Sequence, residues 1–133
     1  MTVRVGILGA TGYAALELIK ILLRHPEAEI SVLTSRQEGR PHLSEVHPIL
    51  SGRLEMNLEQ IETVDLAAQC DCVFSCLPHA ASAATVKPLL DQGLRVVDLS
   101  ADYRLDELSV YEKWYDQQHP DPERVGQTVY GLP

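Results

Sequence analysis

Apolar residues fall into short blocks of two kinds along the chain. Residues 3–8 form a run rich in β-branched side chains with little polar alternation, the pattern of a strand buried on both faces. Over residues 13–24 the polar side chains Glu17, Lys20 and Arg24 recur at helical spacing on one stripe, and most of the rest is Ala, Leu and Ile. That predicts a helix lying on a sheet with one narrow wet face. His25-Pro26 ends it, because a residue before proline avoids the helical region. Residues 29–34 read as a second strand, completing a strand–helix–strand unit of about thirty residues. Gly39, Pro41, Pro48 and Gly52 make residues 35–52 loop-rich. Residues 53–58 are expected to form a further strand and residues 66–69 a short helical turn. Residues 72–77 then read as a buried strand and residues 81–92 as a helix, kinked by Pro88 and closed by Gly93. A strand over 95–99 and a helix over 108–118 follow. Strands alternating with helices predict an α/β fold: Rossmann-like, doubly wound, a mostly parallel sheet with helices on both faces.

Composition narrows the class. The 133 residues make one domain, 45% hydrophobic and 23% charged, as soluble globular domains are. A formal charge of −8 with no basic patch argues against a nucleic-acid partner. The uncharged stretch over 72–85 is broken by Pro78 and His79, so no membrane span is expected. Met1 leads directly into a strand-like run, which predicts no signal peptide and a cytoplasmic location. Cys70, Cys72 and Cys76 are odd in number and crowded together, which is no disulfide framework. Their even spacing predicts one shared strand face, where they read as small buried apolar residues; a metal site would need a fourth ligand.

Candidate chemistry gathers where strands end. Gly6, Gly9 and Gly12 recur every three residues, and Gly9-Ala10-Thr11-Gly12 leads from the first strand into the helix at Tyr13. Glycines there allow a tight turn and let backbone N–H groups and a helix N-terminus approach a pyrophosphate; the competing reading is a tight turn with no ligand. After the second strand, Ser35 and Arg36 precede any acid. An NAD site places a carboxylate there for the ribose 2′-hydroxyl, whereas a 2′-phosphate wants arginine, so NADP is the expected cofactor. Leu77, Pro78 and His79 follow the 72–77 strand and should border the cofactor. His79 is read as a general acid, a ribose contact or a solvated bystander. Asp98, Ser100, Asp102 and Arg104 cluster after the next strand, either to bind an anionic substrate or to hold the loop through local bonds. No nucleophile–base pair is visible, so no catalytic residue is assigned, and His42, His47 and His119 are given no role.

Several stretches together resemble the semialdehyde dehydrogenase superfamily, and within it the N-acetyl-γ-glutamyl-phosphate reductases. They are residues 5–13, Thr34-Ser35-Arg36, Ser44-Glu45-Val46-His47-Pro48, Leu77-Pro78-His79, residues 98–104, residues 111–115 and Tyr130-Gly131-Leu132-Pro133. The resemblance implies an NADP-binding domain over 1–133, with Gly9, Ala10, Thr11, Gly12 and Tyr13 on the pyrophosphate. Ser35 and Arg36 would hold the 2′-phosphate, Leu77, Pro78 and His79 the nicotinamide side, and Ser100 and Arg104 the substrate's anionic end. It implies NADPH-dependent reduction of an acyl phosphate in arginine biosynthesis, through a cysteine thiolate, by a full-length homo-oligomer. Two departures stand out. Ala15 replaces a usual glycine three residues after Gly12, which the fingerprint tolerates. The family's nucleophilic cysteine belongs to a stretch this sequence does not contain, so the chain is expected to bind NADP(H) without turning over alone. Within the superfamily, the alternatives are an N-acetyl-aminoadipyl-phosphate reductase of lysine synthesis and an aspartate-semialdehyde dehydrogenase. Outside it stands a non-catalytic nucleotide-binding or assembly module.

Overall fold

A computed structural model describes residues 1–132; Pro133, the last residue of the Tyr130-Gly131-Leu132-Pro133 stretch and of the expected domain, lies outside them. Strand β1 (Val3–Leu8) enters helix α1 (Tyr13–Leu22) and returns as β2 (Ala28–Leu33). Short helices α2 (Leu43–Val46) and α3 (Leu66–Gln69) precede β3 (Cys72–Ser75), and α4 (Ala81–Asp91) joins β3 to β4 (Arg95–Asp98). Helix α5 (Leu108–Tyr115) follows. The four strands are all parallel, in the order β2-β1-β3-β4. The chain therefore moves from β1 to one side, then crosses back to build β3 and β4 on the other. The carboxyl ends of β1 and β3 flank the point where the order reverses, the crevice in which open α/β sheets bind ligands.

The pleat sends alternate residues into two cores. On one face, Val5, Ile7 and Leu33 pack with Ala15, Ile19 and Leu22 of α1. On the other, Leu8, Val32 and Val73 pack with Leu66 of α3 and Ala83, Val86 and Leu89 of α4. The polar stripe of α1 stays wet, where Lys20 pairs with Glu17 at 2.7 Å. Gly93 closes α4 in the left-handed region, φ +80°, its N–H donating to Leu90 O at 2.9 Å.

Three expectations change. Residues 35–52 are not only loop: α2 and a 3-10 turn over Pro48–Leu50 bury Leu43 and Leu50. Helix α2 is capped reciprocally, with Ser44 N–H donating to His42 Nδ1 and His42 N–H to Glu45 Oε1. No strand forms over 53–58. Leu58 is buried and Leu54 and Met56 pack against the same core, yet the neighbouring backbone pairs only through single bridges, His42 to Asn57 and Thr34 to Glu59. The alternation there records burial, not a ladder. The cysteines do not share a face either. Cys70 ends α3, outside the strand, and joins the α4 side, while Cys76 packs toward the α1 side.

Candidate functional site at the strand ends

The turn after β1 is built on two different glycines. Gly9 has φ +72°, and a Cβ there would lie 3.0 Å from both Cys76 O and Leu77 Cδ2. Only glycine suits that conformation and that approach. Gly12 has an ordinary φ of −85° and starts α1, and a Cβ on it would meet no described atom within 4 Å. No side chain caps this helix and its first turn holds no acid, so its leading N–H groups are offered to whatever occupies the open space. Thr11 and Tyr13 are exposed beside it. Ala10 is different: its methyl is fully buried, its N–H donates to Thr34 O at 2.9 Å, and its carbonyl accepts from His47 Nε2 at 2.7 Å. Ala15 is also fully buried, its methyl absorbed into the α1 core.

His47 has no role in the sequence reading, although it stands in the Ser44-Glu45-Val46-His47-Pro48 stretch that supports the resemblance. It lies in a proline-rich segment with no periodicity, and its partner is a backbone carbonyl 37 residues away. Only tertiary structure could pair them.

Beyond β2, Ser35 is buried, with its N–H on Glu59 O and its hydroxyl accepting from Gln37 N–H at 3.0 Å. That hydroxyl keeps its own proton to donate. Arg36 is exposed and has no ion pair among the described residues. Arg40 is already committed, its guanidinium forked onto the Glu59 carboxylate. Among the described residues, Arg36 thus stands at the strand end with no carboxylate holding it.

Beyond β3, Cys76 N–H donates to Leu8 O at 2.9 Å and Leu77 meets the Gly9 turn. Pro78 and His79 are exposed, and the His79 ring lies 5.2 Å from that of Tyr115. Ala80, the residue before α4, takes φ 65° and ψ −48°.

The polar cluster after β4 faces inward. Ser75 Oγ reaches Ser82 Oγ at 2.7 Å, and Ser82 Oγ donates to Asp98 Oδ1 at 2.8 Å. Asp98 also accepts from Ser100 N–H and Ser100 Oγ, and Ser100 Oγ in turn accepts from Asp102 N–H. Asp102, 1% exposed, binds the backbone of the Ala80 turn and the Tyr111 hydroxyl. Burial, then the hydrogen bond to Asp102, pushes the Tyr111 phenol up; burial and Asp121 do the same for Tyr103. Both phenols therefore remain donors. Of the two readings of this cluster, loop-holding describes Asp98, Ser100 and Asp102; Arg104 is exposed. A cavity of about 760 Å³ lies beside β4, lined by Leu90, Val97, Leu99, Tyr130 and both Ser100 and Arg104. The structure thus brings Ser100 and Arg104 to one opening, separate from the Gly9–Leu77 contact.

The thiols are poor nucleophile candidates. Burial raises all three, Cys76 to about 11, with Asp98 adding to the effect there. Among the described residues no cluster of histidine, cysteine and acid is placed to hold a metal ion, and no helix is long and apolar enough to cross a membrane.

Comparison with known proteins bears on this geometry. Residues 4–133 match the family model described as semialdehyde dehydrogenase, NAD binding domain. The chain is 50% identical over 131 residues to an N-acetyl-gamma-glutamyl-phosphate reductase of Rhodopirellula baltica, across 98% of this chain and 38% of that protein. It is 43% identical over 131 residues to the LysW-L-2-aminoadipate/LysW-L-glutamate phosphate reductase of Saccharolobus solfataricus, covering 98% of this chain and 37% of that one. The chain therefore spans under two-fifths of the length of these relatives. Among solved structures, aspartate semialdehyde dehydrogenase with NADP from Candida albicans superposes with a TM-score of 0.70 at 24% identity, over 81% of this chain and 32% of that one. That likeness bears on the fold alone.

Proposed function

The chain belongs to the semialdehyde dehydrogenase NAD-binding domain family, and on that premise we propose that it is the NADP-binding part of an N-acetyl-γ-glutamyl-phosphate reductase. The observation that carries the choice of cofactor is Arg36: exposed, without an ion-pair partner among the described residues, at the end of β2, while the neighbouring Arg40 is held by Glu59. A 2′-phosphate would complete its fork, and the Ser35 hydroxyl has a proton to donate beside it.

The remaining residues fit the same group. Gly12 leaves room where a pyrophosphate would approach, and the uncapped start of α1 offers N–H donors. Thr11 and Tyr13 would flank it, with Ala10 contributing shape through a backbone that is already paired. Leu77, Pro78 and His79 would line the nicotinamide side, where the bound cofactor supplies hydride. Ser100 and Arg104, sharing one opening, would meet the anionic end of an acyl-phosphate substrate, with Arg104 the freer donor. The nucleophile would come from outside residues 1–133, in keeping with three thiols that burial holds protonated. With this reading go a cytoplasmic site in arginine synthesis and a homo-oligomeric whole protein.

The LysW-linked relatives favour a second reading, a reductase acting on a carrier-bound aminoadipyl or glutamyl phosphate. Both readings share the cofactor, so cofactor binding is tested first. In titration calorimetry, Arg36→Ala should weaken NADPH about tenfold, the worth of one charge-assisted phosphate contact, and leave NADH unchanged. Unchanged NADPH affinity overturns the 2′-phosphate assignment.

A further inference from the structure

We propose that Asp102 is a positioning residue for the cofactor: its buried carboxylate clamps the 77–80 turn from behind and sets it against the Gly9 turn. The inference rests on the NADP reading above.

Ala80, at φ 65° and ψ −48°, lies in the γ-turn region that residues with a Cβ rarely adopt. Such strain persists only where surrounding structure over-determines it, and it gathers at ligand-binding turns. Here the constraint comes from far along the chain. Ala80 N–H donates to Asp102 Oδ1 at 2.7 Å, and Ala83 N–H to Oδ2 at 2.7 Å. One carboxylate thus grips both the strained residue and the first turn of α4, which has no side-chain cap of its own. A serine or aspartate at position 80 would cap the helix locally. The protein instead places alanine there and supplies the cap 22 residues later.

The clamp is itself held on several sides. Tyr111 Oη donates to Asp102 Oδ1 at 2.7 Å and Asp102 N–H to Ser100 Oγ at 3.1 Å. His119 Nδ1 accepts from Asp121 N–H, so Nε2 carries the ring's proton and donates it to the Asp102 carbonyl. The turn so fixed runs from Leu77, whose Cδ2 would touch a Cβ on Gly9, through exposed His79 to Ala80. What Asp102 holds is the wall of the crevice opposite the phosphate turn.

The test separates nicotinamide-side from adenosine-side binding. NADPH and adenosine 2′,5′-bisphosphate, which lacks the nicotinamide half, are titrated calorimetrically against the chain. In Asp102→Asn an amide NH2 faces a backbone donor, so NADPH should weaken about tenfold, the worth of one hydrogen bond to a charged group, while the bisphosphate stays within about twofold. Adding Ala80→Gly, which accepts positive φ freely, should recover at least about threefold of the NADPH affinity. A role in stability alone would weaken both ligands together and give no recovery; either result overturns the proposal. Should Asp102→Asn not fold, Ala80→Val, whose branched side chain resists this conformation with the clamp intact, should show the same split, and an unchanged ratio overturns it. If the wild-type chain binds neither ligand, the NADP reading falls and this inference with it.

Discussion

Gly9 and Gly12 stand three residues apart in one turn, but the reasons for having no side chain differ. Gly9 combines a positive φ with backbone and side-chain atoms 3.0 Å from a would-be Cβ. Gly9→Ala should therefore lower unfolding stability by about 1–3 kcal/mol in urea titration. Gly12 has neither constraint, so Gly12→Ala should lose less than about 1 kcal/mol, the cost of a poorer helix cap, while weakening NADPH. If both variants lose stability equally, the open space at Gly12 has no ligand-directed meaning. His47 belongs beside them. Removing its Nε2 donor leaves the buried Ala10 carbonyl without its partner, and His47→Phe should lose about 1–3 kcal/mol in the same titration.

At the scale of elements, the central strands are fastened at their amino ends by Arg4 and Asp71. Arg4 N–H donates to Asp71 Oδ2 at 2.8 Å, its guanidinium reaches both carboxylate oxygens, and Asp71 N–H returns to Arg4 O. The clamp abuts the pairing of Val5 with Cys72, and a one-residue slip would exchange the faces of β3. Hydrogen bonds from Arg4 hold the Asp71 carboxyl at about 2, below its ordinary 3.8. A depressed carboxyl contributes stability above its unfolded value and loses it as pH falls through the folded one. Stability should thus fall from about pH 4 toward pH 2, and Arg4→Gln should flatten that slope and move the Asp71 carboxyl titration, followed by NMR, back up. Both groups are exposed, so added salt should diminish the difference.

Across the whole molecule, two cores on opposite faces of one sheet hold the ends of β1 and β3 in a fixed relation, and the turns above them inherit that rigidity. A ligand there binds the folded chain and not the unfolded one. NADPH at a hundred times its dissociation constant should add about 2.7 kcal/mol to stability and raise the unfolding temperature by several degrees in scanning fluorimetry. NADH at the same concentration should raise it less. No shift with millimolar NADPH would overturn the cofactor assignment.

Much of this was legible along the chain, for reasons that follow from how information is carried. Strands β1 and β3 announce themselves as short, nearly unbroken apolar runs and helix α1 by a polar stripe at helical spacing, because burial on both faces and burial on all but one stripe each leave a local pattern. Gly9 and Gly12 were legible because a turn between strand and helix makes local demands. The 53–58 segment misled because its alternation reflects burial of Leu54, Met56 and Leu58 without a partner strand. By itself the sequence determined the alternation of β1, α1, β2, β3, α4 and β4, the parallel α/β class and the glycine turn after β1. Tertiary structure alone decided which strand end faces which, that Arg40 is held by Glu59 while Arg36 has no ion pair among the described residues, that His47 bonds the Ala10 carbonyl of the Gly9 turn, and that Asp102 bonds the turn at Ala80. Those contacts join residues 19 to 37 positions apart. No local pattern records such a pairing; only the folded sheet brings its partners within hydrogen-bond reach.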